Sequence, residues 1–162
     1  MLAQNKSGWT LLEYLKVSEE EIEKYNPVTG AFAVISVKGK YLIGFNRWRG
    51  QWEFPAGGIE QGETAREAAI RELLEETHQT GRDLIFAGLF KVQDSRGHIK
   101  YQAVFKGELT ELQPFIPAKG DEMERIRLWD LEEDIGYVDE CDLKIVLMTA
   151  GGSYDELFQN YK

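Results

Sequence analysis

The chain has 162 residues, 43% apolar and 29% charged, the size and composition of one globular domain that buries roughly 70% of its unfolded surface on folding. That excludes both a mini-protein needing staples and a disordered chain. Lys and Arg number 19 against 28 Asp and Glu, a formal charge of −9, which disfavours duplex nucleic acid and anionic lipid as partners; a phosphate ligand is expected to bring divalent cations. Cys141 stands alone, so no internal disulfide and no thiolate zinc site is expected. The longest apolar run, Ala31 to Val37, is far short of a membrane span, and a cytoplasmic location is the expectation.

Trp9 to Val17 fits neither the helical nor the strand period and reads as either, while Ser18-Glu19-Glu20-Glu21 offers a capping box for a short helix through Tyr25, ended by Pro27. Trp9, Leu11, Leu12, Tyr14 and Leu15 in this N-terminal extension, Met1 to Asn26, call for burial against the domain or against a second copy, so a homodimer is one expectation. Ala31 to Val37 and Tyr41 to Phe45 are rich in β-branched and aromatic residues and read as a hairpin around Lys38-Gly39-Lys40. Asn46 to Gln51 follows as a basic loop.

Thr64 to Thr77 contains neither Gly nor Pro, and Ala65, Ala68, Ala69 and Leu73 recur at helical spacing, which predicts a helix with a narrow stripe for close packing. Leu84 to Val92 and His98 to Gly107 read as a second hairpin turning at Asp94-Ser95-Arg96-Gly97. Thr110 to Gly120, with Pro114 and Pro117, reads as a loop and Arg125 to Trp129 as a strand. Leu143, Val146, Leu147 and Ala150 mark an amphipathic helix that Gly151 ends, and Ser153 with Glu156 offers a cap for a last short one. The sum is a single α/β or α+β domain, a mixed sheet with helices packed on it.

The chemistry concentrates between Gly57 and Glu76, where Glu60, Glu63, Glu67, Glu72, Glu75 and Glu76 face only Arg66 and Arg71. On a helix Glu72, Glu75 and Glu76 sit at i, i+3 and i+4 and converge on one patch. Three like charges there call for a cation, and oxygen ligands without clustered His or Cys favour Mg²⁺ or Mn²⁺ over zinc. Arg71 offsets part of the repulsion and orients one carboxylate. Pro55-Ala56-Gly57-Gly58 precedes the helix, a turn whose backbone carbonyls can approach a metal or phosphate where side chains would obstruct.

This stretch resembles the Nudix hydrolase family, whose box is G-x5-E-x7-R-E-U-x-E-E-x-G-U with U a bulky apolar residue. Gly57 is followed by five residues to Glu63, then seven to Arg71-Glu72-Leu73-Leu74-Glu75-Glu76-Thr77, and every charged position is filled. The box, residues 57–79, departs only at its end, where His78 stands in place of Gly and Gln79 in place of an apolar residue. A His in the left-handed turn there costs on the order of 1 kcal/mol unless the turn is rebuilt, for which Gly81 is at hand.

The resemblance implies a single Nudix domain over 1–162, an α/β/α sandwich with a mixed sheet, and Mg²⁺-dependent hydrolysis of a nucleoside diphosphate linked to another moiety. Glu72 and Glu76 would be principal metal ligands, Glu75 a further ligand or the group that positions water, Ala56 a backbone-carbonyl ligand and Glu63 a contact made through water. The general base stays open between Glu72 and Glu75. The family often adds an acidic residue from a later loop; Glu122 is the candidate and Glu124 the next. Arg47 and Arg49 are candidates to grip a terminal phosphate, and Trp48 and Trp52 to stack on a base.

Trp52-Glu53-Phe54-Pro55 resembles the members that act on nucleoside triphosphates, whereas Pro55-Ala56-Gly57 is familiar from ADP-sugar members, and no Pro lies near Ser95 where ADP-ribose members tend to carry one. A nucleoside triphosphate is the expected substrate; an ADP-ribose or nucleotide-sugar substrate, or a non-catalytic nucleotide-binding module, is the alternative. Isopentenyl diphosphate isomerisation, also hosted by the fold, needs a reactive Cys near the metal, and Cys141 on a C-terminal helix is poorly placed for it. His78 and His98 read as structural or exposed.

Overall fold

The structure is a computed structural model that describes residues 1–150; the expected cap at Ser153 lies outside them. Ala31, Phe32, Ala33, Val34 and Ile35 are all buried, the uninterrupted apolar run that a strand covered on both faces requires. They form the middle of β3, which spans Val28–Val37. The remaining strands are β1 (Ala3–Gln4), β2 (Thr10–Leu15), β4 (Lys40–Asn46), β5 (Gln51–Glu53), β6 (Ala56–Gly58), β7 (Ile85–Gln93), β8 (Ile99–Leu109) and β9 (Met123–Trp129), with helices α1 (Ala65–Thr77) and α2 (Glu140–Thr149).

The sheet runs β1-β2-β7-β8-β3-β4-β5, with β6 also on β3 and β9 on β4. It is mixed, because β3 pairs β8 in parallel while its other neighbours are antiparallel. Alternate residues of β3 divide between two cores. Phe32 and Val34 join Phe54, Phe90, Trp129 and Ile145 of α2 on one face. Ala31, Ala33 and Ile35 join Ala68, Ala69 and Leu73 of α1 on the other. Alanines on both sides of the second contact let α1 lie close to the strand, and the expected α/β/α sandwich results.

Three local expectations change. The segment Trp9 to Val17 resolves as a strand, with β2 antiparallel to β7 from Thr10↔Gln93 to Leu15↔Leu89 and Leu11 fully buried. The N-terminal extension thus adds two strands, Ala3–Gln4 and Thr10–Leu15, to the sheet. The expected short helix is a 3₁₀ turn over Glu19–Lys24, started by the Ser18 N–H donating to the Glu21 carboxylate at 3.0 Å. The hairpin at Lys38-Gly39-Lys40 forms, but its strands share only Ser36↔Tyr41 and Val37↔Lys40. They then part, since β6 takes the edge of β3 from Gly30↔Gly58 to Phe32↔Ala56 while β4 turns to β5 and β9. The splayed pair delivers the Ala56–Gly58 strip to the N-terminal half of β3, beside α1.

Both ends of α1 are fixed. Thr64 Oγ1 accepts from the Glu67 N–H at 3.1 Å and the Glu67 carboxylate accepts from the Thr64 N–H at 2.9 Å, a reciprocal capping box. At the other end the turn is not rebuilt around Gly81; His78 itself takes the left-handed conformation, φ 63° and ψ 18°. Gln79 is fully buried and its polar atoms are partnered. Its Nε2 donates to the carbonyls of Thr77 and Gln113, both at 2.9 Å, and its Oε1 accepts from the Gln113 N–H at 2.7 Å.

Candidate active site

The site is built where β6 crosses α1. A Cβ placed on Gly57 would lie 2.2 Å from the Glu72 carboxyl carbon, so only a glycine lets this carboxylate press against the strand. Arg71, one residue before, faces the opposite charges from its own helix and from the preceding loop. Its guanidinium holds Glu63 through two hydrogen bonds, Nε at 2.7 Å and Nη2 at 2.9 Å. It also donates to Glu72 at 2.8 Å, to Glu75 at 3.3 Å and to the Gly58 carbonyl at 2.9 Å. The Arg71 contact, with the Glu60 N–H, holds the Glu63 carboxyl down at about 2.

Glu76, one turn beyond Glu72, has the opposite problem. Burial first, then its contact with the Glu72 carboxylate and the charges of Glu122 and Glu53, push its carboxyl well above the usual range. Both Glu75 and Glu76 sit in the last turn of α1, which holds no basic residue, so the helix dipole adds to the repulsion. A hard cation beside Glu72 and Glu76 would relieve it. Ala56 lies in the strip above, and Glu122 closes the opposite side: it lines one small cavity together with Glu72, Glu75 and Glu76. Glu124 is not part of that lining and pairs with Arg125 at 2.8 Å.

Oxygen donors and a side-chain-free strip suit a divalent metal such as Mg²⁺. Among the described residues, however, no three acidic, His or Cys side chains form a ready-made ligand cage; Arg71 and Arg49 stand among them as counter-ions. Arg49 donates to Glu53 from Nε at 2.6 Å and from Nη2 at 2.9 Å, and to Glu122 at 3.0 Å. Its guanidinium therefore bridges two carboxylates, a different placement from the phosphate grip expected of it. Arg47 is exposed, and its N–H donates to the Glu122 carbonyl at 2.9 Å, tying the basic turn to the loop that carries Glu122. Trp48 is 68% exposed at the tip of that turn, whereas Trp52 is 5% exposed and donates from Nε1 to the Ile135 carbonyl at 2.7 Å. Trp52 belongs to the core and does not offer a stacking face.

Sequence reasoning missed Glu53 and its neighbours. Burial pushes the Glu53 carboxyl up, but hydrogen bonds from Arg49, Gln51 and Asn46 outweigh it and hold the group below its usual range. Asn46 Nδ2 also donates to Glu122 at 2.7 Å, so one buried amide and one arginine join Glu53 to Glu122. On the α2 face of β6 lies a larger cleft of about 360 Å³, bounded by Trp9, Ala31, Phe54, Gln51, Asp139 and Asp142. The signal for it was thin: Gln51 and Glu53 alternate around Trp52 in a short strand, and Asp139 and Asp142 have the spacing of an N-cap pair.

A family model described as NUDIX domain matches residues 24–144, three quarters of the chain. The chain belongs to the Nudix family. Among its relatives, an RNA pyrophosphohydrolase of Mannheimia succiniciproducens is 36% identical over 64 residues, 40% of this chain and 32% of that protein. A putative 8-oxo-dGTP diphosphatase, YtkD of Bacillus subtilis, is 44% identical over 54 residues, 33% of this chain and 34% of that protein. The matched segment thus spans about a third of the length of these curated relatives. A solved structure of a Bacillus subtilis pyrophosphohydrolase variant superposes with a TM-score of 0.62 at 21% identity, over 79% of this chain and 76% of that one, a likeness of fold. In this Nudix chain the family's charged positions are the ones that meet at the β6–α1 crossing.

Proposed function

We propose that this Nudix chain is a Mg²⁺-dependent pyrophosphohydrolase, with Mn²⁺ as the substitute, that cleaves a phosphoanhydride bond of a nucleoside triphosphate. The observation that carries the reading is the Glu72 carboxylate pressed against the bare Gly57, with Glu76 and Glu122 lining one cavity beside it. A divalent cation bound there supplies charge neutralisation on the bridging and leaving oxygens of the phosphate chain.

The chain's own residues do the rest. Glu72 and Glu76, with Glu122 and the Ala56 carbonyl, would hold the cation. Arg71 fixes Glu72 in place by anchoring it to Glu63 and the Gly58 carbonyl. Glu75, exposed and bound only at 3.3 Å, is the carboxylate free to take the proton of the attacking water, whereas Glu72 is tied down on both sides. Arg49 bridges Glu53 and Glu122 and holds Glu53 in its charged form, and the exposed Arg47 meets the terminal phosphate. The cleft on the α2 face adjoins the Ala56–Gly58 strip and takes the nucleoside, with Trp9 and Phe54 as its apolar walls.

The test is chromatography of products after incubation with Mg²⁺ and nucleoside triphosphates, 5′-triphosphate RNA, ADP-ribose and other nucleotide sugars, with Glu76→Gln alongside. Triphosphate cleavage that is lost in Glu76→Gln, with unchanged circular dichroism and weakened Mg²⁺ binding, is expected. Full activity in Glu76→Gln overturns the metal assignment. Cleavage of nucleotide sugars alone moves the substrate to that class, and metal binding without cleavage of any of them leaves a binding module.

A further inference from the structure

The two positions at which the box departs from the family pattern, His78 and Gln79, have no place in the chemistry above. We propose that His78 and Phe115 form an end wall of the phosphate site, held by Gln79, which selects substrates whose phosphate chain ends in a free phosphoryl group. This rests on the hydrolase reading and names the substrate feature that the site accepts.

The wall is defined by position. The cavity that Glu72, Glu76 and Glu122 share is about 180 Å³, half the volume of the cleft assigned to the nucleoside, and His78 and Phe115 supply aromatic lining to it. Glu72 lies under Gly57 and His78 lies six residues further along α1, so the strip and the wall are about 9 Å apart along the helix axis. The His78 and Phe115 rings meet with centroids 4.7 Å apart. The His78 N–H is bound to the Leu74 carbonyl at 2.9 Å in the left-handed turn, which fixes the backbone from which the ring projects towards Phe115.

Phe115 depends on Gln79. The segment between β8 and β9 forms no regular ladder and includes Pro114 and Pro117, which have no N–H to give. Its placement therefore rests on discrete anchors. At one end Gln79 grips both backbone atoms of Gln113, two residues before Phe115. At the other the Arg47 N–H holds the Glu122 carbonyl. An apolar residue at position 79 would fill the same core but leave those Gln113 groups unbound. The unusual glutamine is what fastens the wall to the catalytic helix, and a group attached to the terminal phosphate would have to displace the rings to fit.

The experiment compares GTP and ATP with their γ-phenyl esters, by kcat/KM in Mg²⁺, for the wild type, Phe115→Ala, Phe115→Leu and Gln79→Leu, each checked by thermal melting. The wild type is expected to prefer the free nucleotides. The free-to-ester ratio is expected to fall by about tenfold or more in Phe115→Ala, to fall also in Gln79→Leu, and to fall less in Phe115→Leu, which refills part of the space. A merely structural role lowers both substrates together, and an unchanged ratio in Phe115→Ala and Gln79→Leu overturns the wall. If the wild type cleaves neither substrate, it is the hydrolase reading that fails. Calorimetric binding of the same nucleotides then reads the wall alone: ester exclusion relieved by Phe115→Ala upholds it, and equal binding overturns it.

Discussion

Replacing Gly57 by Ala isolates the contact on which the site turns. Gly57 lies outside the left-handed region, so its backbone accepts Ala, and the lost chain entropy even favours the folded state by about 0.4–1 kcal/mol. The difficulty is local, since the new methyl would stand 2.2 Å from Glu72 Cδ and Oε1 and 2.6 Å from Oε2. To reach ordinary contact the carboxylate must retreat by more than about 1 Å, which pulls it off Arg71 and out of register with Glu76. A displacement of that size at a reacting centre reduces turnover by about 10²-fold, near 2.7 kcal/mol. Gly58→Ala is the control, because its methyl meets only the Thr29 carbonyl at 3.9 Å. The assay is kcat/KM on a nucleoside triphosphate with Mg²⁺, beside a melting curve. Expected is a Gly57→Ala protein that melts close to the wild type and has lost about two orders of magnitude in kcat/KM, with Gly58→Ala largely active. Gly57→Ala activity within threefold of the wild type would refute the cradle.

Two further outcomes concern the far side of β6. Burial, reinforced by the Asp139 charge, raises the Asp142 carboxyl well above its usual range against the Phe54 N–H, so the folded state favours the proton and the unfolded chain releases it near about pH 4. Stability is therefore lost as the pH rises above that point; Asp142→Asn, which keeps an oxygen for Phe54, should raise Tm at pH 7 and leave it unchanged at pH 3, and equal melting at pH 7 would count against it. Burial and the neighbouring Asp139 and Asp142 push the Cys141 thiol up to about 12. Its alkylation by iodoacetamide at pH 8 should be slower than in denaturant by about 100-fold or more, and comparable rates would show that the thiol is not shielded.

The box was legible because its chemistry is written locally: Glu63, Arg71, Glu72, Glu75 and Glu76 lie within fourteen positions of one another, and a helix of known pitch converts that spacing into geometry. Strand runs such as Ile99 to Phe105 were legible by alternation for the same reason. What periodicity does not carry is the partner. Nothing in Ala31–Val37 shows that β8 runs parallel along the edge opposite its hairpin partner, or that Leu11 is buried on β7, because those outcomes are decided by strands sixty or more residues away in the chain. Glu53 was unreadable as a member of the site, since its meaning lies in Arg49, Asn46 and the distant Glu122. His78 was expected to strain a turn that Gly81 would repair. Instead it bears the left-handed conformation itself, with its ring against Phe115.

The arrangement around Arg71 has a consequence for how the protein is put together. In small metal-dependent domains the ligands find their places only when the ion arrives, so that ion affinity and folding are one equilibrium. Here a single guanidinium links the loop, through Glu63 and the Gly58 carbonyl, to the helix, through Glu72 and Glu75. The protein thus carries an internal stand-in for the cation, and the scaffold of the site assembles from protein atoms alone. On the proposed metal dependence, chelation is expected to stop turnover while leaving the melting temperature close to that of the untreated protein, since the contacts that join loop to helix are made by protein atoms.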